Sequence, residues 1–240
     1  VKRNVGSRGV FGPQTGGKLE DMVRALPERA EVLDYGCFGF DLHKRASALR
    51  GDLRHYAADF KEPDTRPEGV EFGLLDYETS RTVFEDDSFD FVVASHVIEH
   101  VQNPTVFFQE LMRICKPGGL AYIESPSDNA ALVKSDPDYR NRNFFSFWDD
   151  PTHVRPWSPA AFYRLALSFG CELQDSRYIG GIADKVVLPF ARAAKAAGIM
   201  AGDITPYVWR ANRWACYGAF RKPEGMRGAP GYGYVSLKPD

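Results

Sequence analysis

Three apolar segments early in the chain each close on an aspartate: residues 31–33 run into Asp34, residues 54–58 into Asp59, and residues 70–75 into Asp76. A buried parallel strand ends at the carboxyl edge of its sheet, and in open α/β folds that edge is where ligands bind. Three acids at three consecutive strand ends therefore surround one cleft. The pattern predicts a doubly wound, mostly parallel α/β domain with its site at that edge. The turn after the first strand, Asp34-Tyr35-Gly36-Cys37-Phe38-Gly39, contains glycine but is not the G-x-G-x-x-G of a dinucleotide loop, which disfavours a nicotinamide oxidoreductase. A carboxylate at this place suits a ligand with a positive amino-acid end.

The other elements follow from periodicity and punctuation. Leu19, Met22, Val23 and Leu26 recur at helical spacing before Pro27, predicting a helix laid over the cleft. Leu42, Ala46 and Leu49 mark the next helix. Residues 86–101 read as a turn, a buried fourth strand and a short helical continuation. Asn103-Pro104 then caps a helix with Phe107, Phe108, Leu111, Met112 and Cys115 inward, stopped by Lys116-Pro117-Gly118-Gly119 before a strand at 120–124. Ser158-Pro159 opens another helix that Gly170 ends, followed by strands at 171–179 and 214–221. The expected organisation is one domain over 1–240, with a core at about 16–222, a lid at about 126–157, a helical insertion at about 182–213 and a flexible tail at 223–240. In the insertion, Val187, Phe190, Ala191, Ala194 and Ala197 form a stripe expected to be buried, opposite a solvated basic face.

Composition excludes several classes. Thirty basic and 32 acidic residues give a formal net charge of −2, so no field gathers nucleic acid. The four cysteines, Cys37, Cys115, Cys171 and Cys216, have no C-x-x-C spacing and read as reduced thiols. No apolar run reaches membrane-span length, and 1–17 lacks a signal-peptide core, so a cytoplasmic location is expected.

The segments DDSFDFVVASHVIEHVQNP and ELMRICKPGGLAYIESPS, set after three acid-ended strands, resemble the class I S-adenosylmethionine-dependent methyltransferases, in particular the small-molecule branch, over roughly residues 31–179. The resemblance implies a Rossmann-like seven-stranded sheet with an antiparallel last strand. It also implies S-adenosyl-L-methionine as cofactor and S-adenosyl-L-homocysteine as product. Asp34, Tyr35, Gly36, Cys37 and Gly39 would then lie at the methionine end. Asp59 would hold the ribose hydroxyls, Phe60 would stack on adenine, Leu75 and Asp76 would meet the adenine edge, and Ser95 and His96 would line the cleft near the sulfonium. The family loop reads D-x-G-x-G-x-G, whereas this chain has Phe38 and Phe40 at the later glycine positions. Side chains there could obstruct the cofactor, which keeps open a catalytically silent binding protein on the same fold.

A long aromatic and charged connection, DYRNRNFFSFWDDPTHVRPWSP, leaves the fifth strand. Long loops in compact domains are commonly lids. Alternation in an extended segment places His153 and Arg155 on one face. His153 is the favoured base or acceptor-orienting group, with Asp149 or Asp150 tuning it; His100 is the second candidate. Asn143, Trp148, Asp149 and Arg155 are expected to contact the acceptor, Arg155 by clamping a phosphate or carboxylate. The same segment resembles, over a shorter stretch, the O-antigen and capsule sugar methyltransferases, which implies a sugar or glycan acceptor. A quinone-like acceptor is the alternative. No metal is expected. Nucleic-acid methylation is disfavoured because the fifth strand ends Glu124-Ser125-Pro126-Ser127. The helical insertion, which also carries Trp209 and Trp214, is open to three further roles: a cover over the acceptor site, a homodimer contact or a peripheral membrane contact.

Overall fold

In the computed structural model, which describes residues 18–76, 78–135, 145–200 and 204–233, seven strands form one sheet in the order β3-β2-β1-β4-β5-β7-β6. The first five are β1 (Glu31–Tyr35), β2 (Arg54–Asp59), β3 (Val70–Leu74), β4 (Phe89–Ser95) and β5 (Cys115–Pro126), all parallel to one another. The last two, β6 (Glu172–Tyr178) and β7 (Ala215–Arg221), pair antiparallel, and β7 inserts between β5 and β6. This is the expected doubly wound sheet with its antiparallel end. The chain order reverses between β1 and β4, and the register there sets Asp34 of β1 beside Ala57 of β2 and Val93 of β4. The carboxyl ends of β1, β2 and β4 therefore open on one crevice, at the switch point where such folds bind ligands.

Helices cover both faces. On one side α3 (Pro104–Ile114) and α4 (Pro159–Phe169) bury Phe107, Phe108, Leu111, Phe162 and Phe169 against β4, β5 and β7. On the other, α1 (Lys18–Ala25) and α2 (Asp41–Leu49) bury Leu19, Val23, Leu42 and Ala46 on Val32 and Phe91. Local chemistry starts these helices where the sequence says. The Asn103 side chain accepts from the Thr105 and Val106 amides ahead of α3, and the Ser158 hydroxyl accepts from Ala161 N ahead of α4. Gly170 ends α4 at φ +65°, a conformation that costs glycine nothing.

Four expectations change. The helix α3 stops at Ile114 and Cys115 already belongs to β5, because it pairs with Phe89 before a bulge leads to the Leu120–Phe91 pair. Leu75 lies beyond β3 and bridges antiparallel to Thr82. The insertion forms α5 (Ile182–Ala196) and α6 (Thr205–Ala211), but of the apolar stripe on α5 only Ala191 is buried, while Val187 and Phe190 are exposed. The reason is that α5 packs on α6 through a narrow contact, helped by the Arg210–Asp184 ion pair at 2.7 Å, and does not lie on the sheet. Residues 223–233 are docked and not a free tail. The Lys222 ammonium, fully buried, donates to Asp87 Oδ1, Cys115 O and Gly228 O at 2.6, 2.9 and 2.8 Å, and Tyr232 meets Phe169 edge-on.

Candidate active site at the sheet switch point

A cleft of about 1120 Å³ opens at the carboxyl edge, and Asp34, Gly36, Cys37, Asp59, Phe60, Leu75, Asp76, Ser95 and His96 all line it. Tyr35 joins them, its hydroxyl donating to Ser80 O. The three strand-end acids meet the cleft in different states. Asp34 is buried and its carboxyl is pushed up to about 7, first by burial and then by the like charges of Asp41 and Asp59, against a smaller opposing pull from Arg45. Asp59 is raised by burial, partly offset by the Phe60 amide that donates to it. Asp76 is held low by the amides of Thr79 and Glu78, which it caps in a turn. A buried carboxylate crowded by like charge is a receptor for a cation.

The altered loop is accommodated. Gly36 sits at φ +81°, and a Cβ there would fall 2.4 Å from Val97 Cγ2, so the close approach of the segment after β4 demands glycine at this position. Phe40 turns away from the cleft and packs on Cys37, Ala57 and Val70, leaving Phe38 exposed at the mouth. Gly39, also at positive φ, does not line the cleft.

The strand β4 ends in a tight kink. His96 adopts φ +57° and its amide donates to Glu124 O at 2.8 Å. Its imidazole lies between two buried glutamates, with Nδ1 3.2 Å from Glu99 Oε1 and Nε2 3.5 Å from Glu124 Oε1. Burial by itself would lower its pKa, yet the hydrogen bonds to Glu124 and Glu99 and their charges lift it to about 10, so the ring is an imidazolium. His96 is thus near the expected place, held by carboxylates.

Beyond it, the 3-10 turn Ile98–His100 brings His100 to the cleft, and the connection after β5 brings Asp150, Thr152 and His153 to meet it. The His100 and His153 rings are 4.8 Å apart, and His153 also stacks on Phe147 at 4.6 Å. His153 Nδ1 donates to Phe147 O at 2.7 Å, which fixes the neutral tautomer with its lone pair on Nε2. Asp150 Oδ2 lies 3.9 Å from that Nε2.

Three acceptor candidates do not reach the cleft. The Asp149 carboxylate is consumed by the amides of Phe145 and Ser146, in a capping box on the 3-10 turn Phe147–Asp149. Trp148 projects to solvent, and Arg155 donates to Gln102 O at 2.7 Å and lies off the cleft wall. Asn143 lies outside the described residues. Sequence reasoning missed Glu99 and Glu124, which line the cleft, although Glu99 had a local signal, sitting beside His100 and three residues after His96. Trp209 and Trp214, carried by the insertion for which a cover over the acceptor site was one reading, also line the cleft as a stacked pair, which only the fold brings there.

The methyltransferase-domain family matches residues 14–176. Among curated proteins none matches the chain. Solved structures share the fold at low identity. An S-adenosylmethionine-dependent methyltransferase from Mesorhizobium loti is 16% identical, with 87% of this chain and 100% of that one covered and a TM-score of 0.54. The phosphoethanolamine N-methyltransferase 2 of Haemonchus contortus, in complex with S-adenosyl-L-methionine, is 15% identical at a TM-score of 0.55, over 85% of this chain and 52% of that one. The 4+2 cyclase SpnF is 18% identical at a TM-score of 0.57, over 86% and 81%. With the family match spanning well over half its length and the sheet, switch-point cleft and strand-end acids in place, this chain belongs to the class I S-adenosylmethionine-dependent methyltransferases.

Proposed function

We propose that this methyltransferase O-methylates a hydroxyl of a sugar or sugar-containing small molecule. The observation that carries the reading is the convergence, in one cleft, of the strand-end acids with His100 and His153, whose Nδ1 atoms are both engaged by neighbours. The cofactor end fits its ligand chemically. Asp34 offers a buried carboxylate to an α-ammonium, Asp59 an acceptor to ribose hydroxyls, and exposed Phe60 a face to adenine. S-adenosyl-L-methionine, when bound, supplies an electrophilic methyl group; the protein's part is to align the acceptor and manage one proton.

A hydroxyl is a poor nucleophile until its proton is drawn off. The His153 Nε2 lone pair receives that hydroxyl, and Asp150 lies beside it. Trp209 and Trp214, stacked on each other at 4.5 Å and almost fully buried, also line the cleft and add an aromatic wall of the kind suited to the apolar face of a sugar ring. The same stacked pair also favours a quinone-like acceptor, the second reading.

Calorimetric titration with S-adenosyl-L-methionine and S-adenosyl-L-homocysteine comes first, with one-site binding expected for each. Mass spectrometry of incubations with nucleotide-sugars and simple glycans then looks for products one methyl group heavier. Methylation confined to aromatic acceptors would replace the sugar by the second reading. Binding of neither cofactor form by the folded protein would point to a silent module.

A further inference from the structure

The Glu99 side chain is fully buried, and among the described residues its Oε2 has no hydrogen-bond partner, while Oε1 faces His96. A carboxylate oxygen taken out of water without a donor is costly, and a ligand that supplies the missing charge removes the cost. Donor atoms of the right kind lie close to this carboxyl group. One donor atom each from Glu99, His100 and His153 lies within 4.8 Å of the other two.

Both imidazoles are prepared by their outer contacts. His153 Nδ1 donates to Phe147 O. Thr152 Oγ1 gives its hydrogen to Asp150 Oδ1 at 2.6 Å, so it must accept from His100 Nδ1 at 2.9 Å. Each ring is thereby held in the tautomer that carries its lone pair on Nε2, the arrangement typical of metal-binding histidines. Two further carboxyl groups stand close by, Asp150 Oδ2 3.9 Å from His153 Nε2 and Glu124 Oε1 3.5 Å from His96 Nε2.

We propose that Glu99, His100 and His153 bind a divalent first-row transition-metal ion, and that the ion's remaining positions take the reacting hydroxyl of the acceptor and a neighbouring oxygen. Two imidazoles and a carboxylate are a poor set for Mg²⁺ or Ca²⁺, which prefer oxygen throughout, and a good one for ions such as Mn²⁺, Fe²⁺ or Zn²⁺. Two donors come from one turn and the third from the facing loop, so coordination ties the connection after β5 to the end of β4. Three protein ligands leave the open positions that a catalytic site needs.

The proposal rests on the hydroxyl-acceptor reading and replaces the metal-free chemistry expected from sequence. A coordinated hydroxyl loses its proton more easily. That proton passes to the Asp150 carboxylate and on to water. The oxygen lone pair forms the new O–C bond as the S–C bond breaks, its electron pair staying on sulfur. The His153 lone pair, which without metal would meet the hydroxyl directly, holds the ion instead.

The test is calorimetric titration of the EDTA-stripped, full-length protein with Mn²⁺ and with Zn²⁺ alone, using Mg²⁺ as the comparison. Saturable binding of one equivalent is expected, weakened at least tenfold in His100→Asn and in His153→Asn, with S-adenosyl-L-methionine affinity unchanged in both as proof of folding. Thr152→Val keeps all three ligands and releases only the His100 tautomer, so it should weaken binding by a smaller factor. No saturable binding at millimolar metal, or binding untouched by both histidine variants, overturns the site. Hydroxyl methylation that proceeds undiminished in EDTA also overturns it while leaving the proposed function standing. One-equivalent binding sensitive to these substitutions, with no hydroxyl acceptor methylated, upholds the site and rejects the acceptor reading.

Discussion

Single residues at the cleft act through burial as much as through identity. Asp34 and Asp59 are both strand-end aspartates, but Asp34 keeps its proton to about pH 7 because it is buried beside Asp41 and Asp59. If the cofactor's ammonium binds the ionised form, binding below pH 7 must expel that proton. Affinity should therefore rise about tenfold between pH 6 and pH 8 and level off above, a dependence that Asp34→Asn abolishes in calorimetry. The sign for folding is opposite. The native state retains a proton that the unfolded chain has lost, so the contribution of Asp34 to stability falls as pH rises from about 4 to 7. The cofactor-induced rise in melting temperature should accordingly be larger at pH 8 than at pH 6. Asp59→Ala removes acceptors for ribose hydroxyls and should weaken cofactor binding by about 1.5–3 kcal/mol, roughly tenfold to a hundredfold in Kd. An unchanged Kd would show that the end of β2 does not touch the ribose. His153→Ala should leave cofactor affinity within twofold and lower turnover by at least tenfold, measured as kcat against KM.

At the scale of elements, the site depends on how the segments after β1 and β4 meet. Gly36 N and Cys37 N donate to Ala58 O at 2.8 and 3.1 Å, tying the first loop to β2, and Val97 packs where a Cβ on Gly36 would go. Gly36→Ala therefore meets both a positive φ and a steric clash. It should destabilise the protein by about 1–3 kcal/mol, readable as a lowered urea midpoint. Adding Val97→Ala should recover the part due to the clash and leave the part due to φ. No recovery in the double variant would locate the cost in the backbone alone. The same junction explains the tolerance of phenylalanine where the family has glycine: Phe40 finds an apolar pocket against Ala57 and Val70, so the loop fills a gap in the core and leaves the cleft open.

Across the whole molecule, Lys222 binds the end of β7, the turn at Asp87 and the segment 223–233 into one unit, with its ammonium fully enclosed. Lys222→Ala leaves the Asp87 carboxylate and two carbonyls without their shared donor. It should cost about 3–5 kcal/mol and expose the chain beyond β7 to limited proteolysis. A variant as stable and as protease-resistant as the parent would show that the tail docks by other means. Much of this architecture was legible in the sequence. Strand-end aspartates, helical spacing and caps such as Asn103-Pro104 and Ser158-Pro159 are short-range signals, written within a few residues of the element they create, and they determined the sheet, its helices and the cofactor side of the cleft. The resemblance carried by the fourth-strand and fifth-strand segments named the family. Long-range placement was decided by the tertiary structure alone. Only the packed chain brings Trp209 and Trp214 to the cleft wall, encloses His96 between Glu99 and Glu124, and turns Arg155 and Trp148 away while bringing His153 to His100. The physical reason is that periodicity reports which face of an element is apolar, whereas the partner of a buried charge or ring is chosen by elements distant in the chain, whose approach no local pattern records.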